Sequence, residues 1–296
     1  MVTVETMVQK LRVRSRAVRL GILVGVVLAA SATLCLTPPI PLWPGYHVFA
    51  DQRTIFHIQH CFDVLSNVPF ILVGVWGLCF LFGRAANAAF TRRCERIPYL
   101  FFFAGVAATG VGSAYYHLVP GNFRLIWDLL PMTVSFASIV AATITERVSL
   151  RIGLWLSLPL IALGIASVRY WYLGEVQGHG DIRFYLSVQF FPIIAIATII
   201  TLFPPRYTRT ADLFYVFIFY VIAKCFELLD AQIYSLGNVV SGHTLKHLTA
   251  GLACYWILRM LTLRVAIDDN SPVGHKLQGQ HPYSNSLADC TKELIP

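Results

Sequence analysis

Eight apolar segments of membrane-spanning length are the feature that most restricts how this chain of 296 residues can fold. A helix needs about 20 mainly apolar residues to cross the hydrocarbon core of a bilayer. The segments cover approximately 20–37, 63–83, 98–118, 123–144, 152–168, 184–203, 211–235 and 243–263. They occupy nearly the whole chain and leave no soluble domain between them. The sequence therefore predicts an all-α integral membrane protein.

The composition excludes other classes of protein. Charged residues make up only 13% of the chain and apolar residues 56%, with a mean hydropathy of +0.64. A soluble domain has about 25% charged residues, so this chain cannot cover a globular surface with charge. An ordinary soluble enzyme and a disordered protein are both excluded. The seven cysteines form no C-x-x-C pair, and so indicate neither a disulfide framework nor a cysteine metal site.

The first apolar segment differs from the other seven. The basic stretch KLRVRSRAVR precedes it, and it ends in the small residues Ala30, Ser31 and Ala32. This pattern is typical of a signal peptide with a cleavage site or of a retained signal anchor, and we favour the retained helix. The predicted organisation is a basic tail (1–19), this N-terminal helix (20–37), a membrane domain (38–265) and a polar C-terminal tail (266–296).

The basic residues predict the orientation of the chain in the membrane. Of the 23 lysines and arginines, 17 fall in the N-terminal tail, in alternate loops or after the last span, and only four lie in the loops on the other side. Cytoplasmic loops are enriched in Lys and Arg, so both termini are predicted to be cytosolic. The excess of Lys and Arg in the loops predicted to be cytosolic accounts for most of the net charge of +8. The sequence has no basic cluster on a folded soluble face, so it does not indicate a nucleic-acid partner.

Ionisable residues inside the spans are the strongest functional signal, because such groups are costly in a membrane. Ser113 and His117 lie four residues apart near the end of the third span, and Asp128 lies near the start of the fourth. Two further histidines follow the same spacing at the start of the last span. The full set within spans is His117, Asp128, Lys224, Glu227, Asp230, His243, Lys246 and His247, with Asp63 at the start of a helix.

The alternation of the spans predicts a metal site from three of these histidines. A spacing of four residues puts two side chains on one face of a helix. His117, His243 and His247 should therefore meet in the outer third of the membrane, at the same depth as Ser113 and Asp128. Three protein ligands with an open fourth position are typical of catalytic zinc. The sequence predicts one zinc ion at this site.

Each of these residues also has a simpler interpretation. A single histidine at a helix end is often an interfacial residue, Ser113 alone could be a small residue at a helix contact, and Asp128 could pair with Arg124. The pattern of Lys224 and Glu227 favours a structural ion pair. Asp230 is a candidate for orienting a histidine. We favour the metal site because a third histidine and a carboxylate are predicted at the same depth in the membrane.

Taken in order, these motifs resemble those of a known family. S-x-x-x-H, a carboxylate eleven residues later in WDLLPM, and H-x-x-x-H at the start of the last helix resemble the alkaline ceramidases. Their wider membrane-hydrolase superfamily also includes the progestin and adipoQ receptors. The segment FDVLSNVPFILVG is similar to the first core helix of the family, with its Ser-Asn pair. The resemblance covers roughly residues 45–265 and implies a seven-transmembrane-helix core with an additional N-terminal hydrophobic helix.

The resemblance also implies roles for individual residues. His117, His243 and His247 would bind zinc, Asp128 would act on the attacking water, and Ser113 would support the metal site or the oxyanion. The ceramidases bind calcium through an acidic cluster before the first core helix. Here the stretch GYHVFADQRTIFHIQHCFD offers only Asp51 and Asp63, so this family feature has weak support.

Three functions are compatible with these residues. The leading hypothesis is a zinc-dependent intramembrane amidohydrolase that takes ceramide, or a related long-chain amide, directly from the bilayer. Its products would be a sphingoid base and a fatty acid. The second is a lipid-sensing receptor of the same superfamily with a structural or slow zinc site. The third is a transporter or channel that uses Lys224, Glu227 and Asp230, but the sequence shows neither an internal inverted repeat nor a pair of broken helices.

Overall fold

A computed structural model describes residues 14–267 of the chain, and the architecture of this part is helical. Its α-helices are α1 (Arg16–Leu36), α2 (Cys61–Leu65), α3 (Val68–Phe82), α4 (Ala86–Ala89), α5 (Ile97–Leu118), α6 (Asn122–Arg147), α7 (Leu150–Val176), α8 (Arg183–Leu202), α9 (Ala211–Leu228), α10 (Asp230–Ser235) and α11 (Gly242–Leu263). A short 3-10 helix, Arg93–Arg96, precedes α5. Residues 1–13 of the predicted basic tail and 268–296 of the predicted polar C-terminal tail lie outside the described residues.

Six segments within residues 14–267 are long and apolar enough to cross a membrane, which indicates a multi-pass membrane protein. They are Arg16–Leu36, Cys61–Phe82, Arg93–Leu118, Asn122–Arg147, Leu150–Val176 and Arg183–Leu202. The last two predicted spans correspond to α9 with α10, and to α11. Both carry buried or paired charges, Asp212, Lys224 and Glu227 in one and Lys246 and Arg259 in the other. Because of these charges, the two helices are less apolar than a typical membrane span.

Two predicted spans are interrupted in the structure. The span predicted at 63–83 is divided between α2 and α3, because α3 begins afresh with Pro69 in its first turn. The span predicted at 211–235 ends as a regular helix at Leu228, and α10 follows as a separate short helix. Both interruptions occur beside the histidines, so they place loop-like backbone at the site.

The helices surround a central space that is closed on most sides. Close packing joins α9 to α11, α11 to α3, α3 to α5, α5 to α6, and α6 to α8. The helices α8 and α9 do not pack closely on each other over their described length. The bundle therefore has one lateral gap, between α8 and α9.

The N-terminal helix α1 lies on the outside of this bundle, against α8. Leu20 and Leu23 pack onto an apolar cluster that contains Leu202 and Phe203. The Pro-rich segment after α1 reaches the loop before α8, where the backbone N–H of Ile182 donates to the carbonyl of Ile40 over 2.9 Å. This helix is thus attached at both of its ends.

The contact between α5 and α6 depends on a glycine beside the predicted site. A methyl group built on Gly112 would collide with the backbone carbonyl oxygen of Trp127. Only a residue without a Cβ lets the two backbones approach this closely, as is common between membrane helices. This contact sets the distance between the helices that carry Ser113 and Asp128.

We expect Gly112→Ala to destabilise the protein by about 1–3 kcal/mol, because the added methyl forces two packed backbones apart. Thermal unfolding in detergent measures the effect as a lower melting temperature. Gly25→Ala on α1 is the matched control, since nothing lies within 4 Å of a Cβ at that position. Equal melting temperatures for the two variants would contradict the proposed close contact.

Candidate metal centre

Three buried histidines meet where α5 ends and α11 begins. One nitrogen from each of His117, His243 and His247 lies within 4.8 Å of the other two. The Nε2 atoms of His117 and His243 are 3.2 Å apart. The three side chains are at most 7% exposed. This arrangement, predicted from the spacing of the residues, could hold a metal ion.

The chemistry of the three histidines fits zinc. Neutral imidazole nitrogen is a preferred zinc ligand, and three protein ligands leave room for one more. The two Nε2 atoms face each other at 3.2 Å and can share at most one proton between them. A metal cation could instead bind the lone pairs of both nitrogens. The Nδ1 atom of His117 is buried without a hydrogen-bond partner among the described residues, which leaves its tautomer free to suit a ligand at Nε2.

The turn between α2 and α3 orients His247. The Ser66 hydroxyl lies 2.8 Å from Nδ1 of His247 and donates over 3.1 Å to the backbone carbonyl of Asp63. A hydrogen bond at Nδ1 turns the imidazole so that Nε2 points at the other histidines. Such partners hold metal ligands in position and fix their tautomer.

The start of α11 is fixed by two carboxylates. Asp63 is fully buried and accepts hydrogen bonds from the Ser241 and Thr244 hydroxyls at 3.0 and 2.7 Å. Asp230 accepts from the backbone N–H of His243 over 2.7 Å. Asp230 therefore positions the backbone that carries His243, rather than the imidazole itself.

Ser113 and Asp128 lie together beside the histidines. Both line the same cavity as His247, and the Ser113 hydroxyl is within interaction range of the Asp128 carboxylate. Arg124 does not pair with Asp128. It donates instead to the carbonyl of Tyr115 and lies 4.4 Å from the centre of the Tyr115 ring. Asp128 therefore remains directed at the cavity, and the cluster of three histidines reaches this cavity through His247.

A cavity of about 590 Å³ extends from these polar residues towards the opposite end of the bundle. This volume is in the range of sites that bind small molecules and lipids. Its walls are mainly apolar, and polar side chains come from the ends of α5 and α9 and the starts of α6, α8 and α11, which meet at one end of an antiparallel bundle. The polar lining residues there include Ser113, Asp128, Gln189, Lys224, Lys246 and His247.

The cavity opens sideways between α8 and α9, where these helices do not pack on each other. Its lining includes Ile194 of α8 and Phe214 and Phe217 of α9, which are also 46–56% exposed on the outer surface of the bundle. Residues that face both the cavity and the exterior mark an opening. In a membrane this opening would face the acyl chains of lipids.

The loop before α2 covers the histidines on the other side. The ring of Phe49 is 5% exposed, and its centroid lies 4.6 Å from those of both His117 and His243. The next residue, Ala50, donates its backbone N–H to Asp230 over 3.0 Å. Phe49 thus packs directly on two of the three histidines, and the third, His247, lines the cavity that opens between α8 and α9.

Lys224 and Lys246 line the same cavity as His247. Nζ of Lys246 lies 2.8 Å from Oε1 of Glu227 and 3.3 Å from Nε2 of His243. Lys224 binds the other oxygen of Glu227. The predicted ion pair of Lys224 and Glu227 therefore exists, but it is part of a group of three charges that reaches a histidine.

The two acidic residues considered for calcium do not form an acidic cluster. Asp51 is bound by the side chain of Arg53, with Oδ2 to Nη2 at 2.6 Å. Burial alone would raise the pKa of Asp51, but the hydrogen bonds from Arg53 outweigh it and hold the pKa below its usual value. Among residues 14–267, the three histidines form the only group of three or more side chains arranged to hold a metal ion.

Comparisons with known proteins identify no relative. No protein-family model matches the chain, and searches of curated proteins and of solved structures return no significant match. The function must therefore be argued from the site itself.

Sequence reasoning assigned no role at this site to three of its residues. Ser66 is part of the Ser-Asn pair that carried the family resemblance, but its contact with His247 depends on the break between α2 and α3. Phe49 belongs to a loop whose path has no periodic signal. Lys246 was noted among the ionisable residues within the spans but was assigned no role, because its contact with Glu227 depends on how α9 packs against α11.

Proposed function

We propose that the protein is a zinc-dependent intramembrane amidohydrolase. It would cleave the N-acyl amide bond of ceramide, or of a related long-chain lipid amide, into a sphingoid base or other amine and a fatty acid. One observation carries the proposal. Ser113 and Asp128 line the polar end of an apolar cavity with a lateral opening, and the cluster of three histidines reaches the same cavity through His247.

His117, His243 and His247 would hold the zinc. When bound, zinc polarises a carbonyl group and lowers the pKa of its bound water to about 7. An amide is a poor electrophile, so its hydrolysis requires both effects. Ser66 and Asp230 would keep two of these ligands in place through the contacts described above. Phe49 would limit the access of bulk water to the site.

Asp128 is suited to move the proton of the attacking water. Hydrolysis adds a hydroxyl group to the acyl carbon, breaks the C–N bond and delivers a proton to the leaving nitrogen. A carboxylate in the cavity can take the proton from water and pass it to the amine, as general acid–base catalysts do. Ser113 can donate its hydroxyl hydrogen to Asp128 or to the oxygen of the substrate carbonyl.

The cavity suits a substrate that is dissolved in the bilayer. An acyl chain could enter between α8 and α9 and place its amide at Asp128 without crossing water. Burial of each methylene group stabilises binding by about 0.8 kcal/mol. We retain the predicted seven-helix core with both termini in the cytosol, in which α9 and α11 also span the membrane and the site lies in its outer third.

The direct test of the proposal is metal content together with product analysis. Protein purified in detergent should carry about one zinc per chain and should release free fatty acid from a panel of lipid amides over many turnovers. Addition of a strong chelator should abolish turnover, and zinc should restore it. Full activity in zinc-free wild-type protein would refute the proposal.

A lipid-sensing receptor is the second candidate, and the Phe49 contact favours it. Hydrolysis consumes one water per turnover, and a ring packed on two of the histidines restricts the supply from the aqueous side. A sensor would bind the lipid amide with the same histidines but release less than one equivalent of fatty acid. Counting turnovers per chain separates the two candidates.

A further inference from the structure

Two polar side chains of the cavity, Gln189 and Tyr220, have no part in the mechanism above. Both line the cavity. Gln189 belongs to α8 and Tyr220 to α9, the two helices that border the lateral opening. Gln189 is only 7% exposed, and the hydroxyl oxygen of Tyr220 is buried. Burial of an amide or a hydroxyl group is costly unless the group is hydrogen-bonded.

The two side chains do not satisfy each other. The Tyr220 hydroxyl makes no hydrogen bond of normal geometry among residues 14–267, although the Gln189 amide is within interaction range. A glutamine amide has two donor hydrogens and an acceptor oxygen, whereas a tyrosine hydroxyl has one donor hydrogen. Even a direct bond between them would therefore leave much of the amide unpaired.

The backbone of α8 adds a third polar group at this place. Pro192 lies inside the helix and also lines the cavity. Because proline has no N–H, the carbonyl of Val188, one turn earlier, loses its helical partner. Donors and acceptors thus lie next to each other around Gln189. A hydroxyl group, which both donates and accepts, suits such a mixed set better than a group that does only one of the two.

The pair lies beside the place of the scissile amide. Gln189 is six residues into α8 and Asp128 is six residues into α6, and these helices run in the same direction because α7 separates them in the chain. At about 1.5 Å per residue, both lie about 9 Å along their helices. On α9, Tyr220 lies between Lys224 and the exposed Phe217 at the opening. A lipid that enters between α8 and α9 therefore passes the pair.

We propose that Gln189 and Tyr220 bind a hydroxyl group on the amine side of the lipid amide and make the cavity selective for hydroxylated amides. The proposal rests on the proposed amidohydrolase function and names the residues that choose its substrate. The apolar far end of the cavity takes the acyl chain, because each buried methylene group stabilises binding there. The amine side of the amide is then left at the polar pair.

A matched pair of ligands tests the proposal. N-oleoylethanolamine and N-propyloleamide share one acyl chain and one amide, and differ in a hydroxyl group that replaces a terminal methyl. Chelator-treated protein, which cannot use zinc for turnover, should bind the hydroxylated amide about 10-fold more tightly, because only this ligand pairs the buried polar groups. The zinc-loaded protein should show the same preference in kcat/KM, mainly through KM.

Three variants locate the effect, and comparing their preferences with that of the wild type cancels the different partition of the two amides into detergent. Tyr220→Phe removes one oxygen, and Gln189→Met removes the amide at similar side-chain length. Each should lower the preference by about 3-fold or more and leave the affinity for N-propyloleamide nearly unchanged. Tyr215→Phe is the control on the same helix. The Tyr215 ring is 48% exposed and packs on Trp256, so this variant should keep the full preference.

Several results would overturn the proposal. Equal affinity of the wild type for the two amides would leave the polar pair to water alone. An unchanged preference in both Tyr220→Phe and Gln189→Met would place the hydroxyl elsewhere. An equal fall of kcat for both amides in these variants, with KM unchanged, would assign the pair to the reaction instead. Preferred binding of the hydroxylated amide without turnover of either amide would support the inferred subsite while refuting the amidohydrolase. Turnover of both amides with no preference would do the reverse.

Discussion

Replacement of His247 with alanine should remove the bound zinc and lower amide hydrolysis by about 1,000-fold or more. Two histidines that remain without the third hold a metal poorly, and the loss of a metal that supplies several kcal/mol of transition-state stabilisation corresponds to at least this factor. Metal analysis of the purified variant and initial rates of fatty acid release measure the two effects.

The control for this prediction is His179→Ala. His179 is exposed in the loop before α8 and contacts only the carbonyl of Gly174 through its ring. Its loss should leave both zinc content and rate unchanged. Ser66→Ala should fall between the two, with zinc bound about 10 to 100 times more weakly, because the partner that orients His247 is lost. Normal zinc content in His247→Ala would exclude this histidine as a ligand.

The membrane class and most helix positions could be predicted from the sequence, because apolar segments of fixed length carry that information locally. The start of α6 and the end of α5 differ from the prediction by no more than one residue. The span predicted at 211–235 was harder to delimit. Leu229 interrupts the predicted span 211–235, and the reason lies in the tertiary contact of Asp230 with α11 rather than in the local sequence.

The histidine cluster could also be predicted, since alternating spans and a spacing of four residues place the three imidazoles at one depth. The charged surroundings could not. Glu227 binds both Lys224 and Lys246, and this depends on how α9 packs against α11. The spacing within α9 revealed only the local pair. A group that joins two helices has no signature in either helix alone.

The position of Phe49 shows a second limit of sequence reasoning. The loop from 38 to 60 has no hydrophobic period, so nothing in it predicts that one aromatic ring covers two histidines. The loop is held by long-range contacts, such as Arg53 with the carbonyl of Val239 at 2.6 Å. Contacts between residues so far apart in the chain depend on the fold and cannot be predicted from the local sequence.

Replacement of Asp128 with asparagine should lower kcat by about 100 to 10,000-fold while zinc content stays at the wild-type level. The amide keeps the size of the side chain and can still contact Ser113, but it cannot accept a proton from water at neutral pH. Loss of a general acid–base group has an effect of this size. Because Asp128 is not among the three clustered histidines, the metal should remain. Rates are compared per zinc-loaded chain, and binding of a lipid amide to the variant should be retained.

The control for this prediction is the same substitution at another buried carboxylate. Asp212 is 3% exposed near the start of α9, where it binds Arg209 and Arg259 far from the histidines along the helix. Asp212→Asn should lower thermal stability, because two arginines lose part of their partner, but should leave the rate per zinc-loaded chain unchanged. A full rate in Asp128→Asn would assign proton transfer to a different group. Loss of zinc in Asp128→Asn would instead make Asp128 part of the metal site, and the two outcomes are separated by measuring metal and rate on the same preparation.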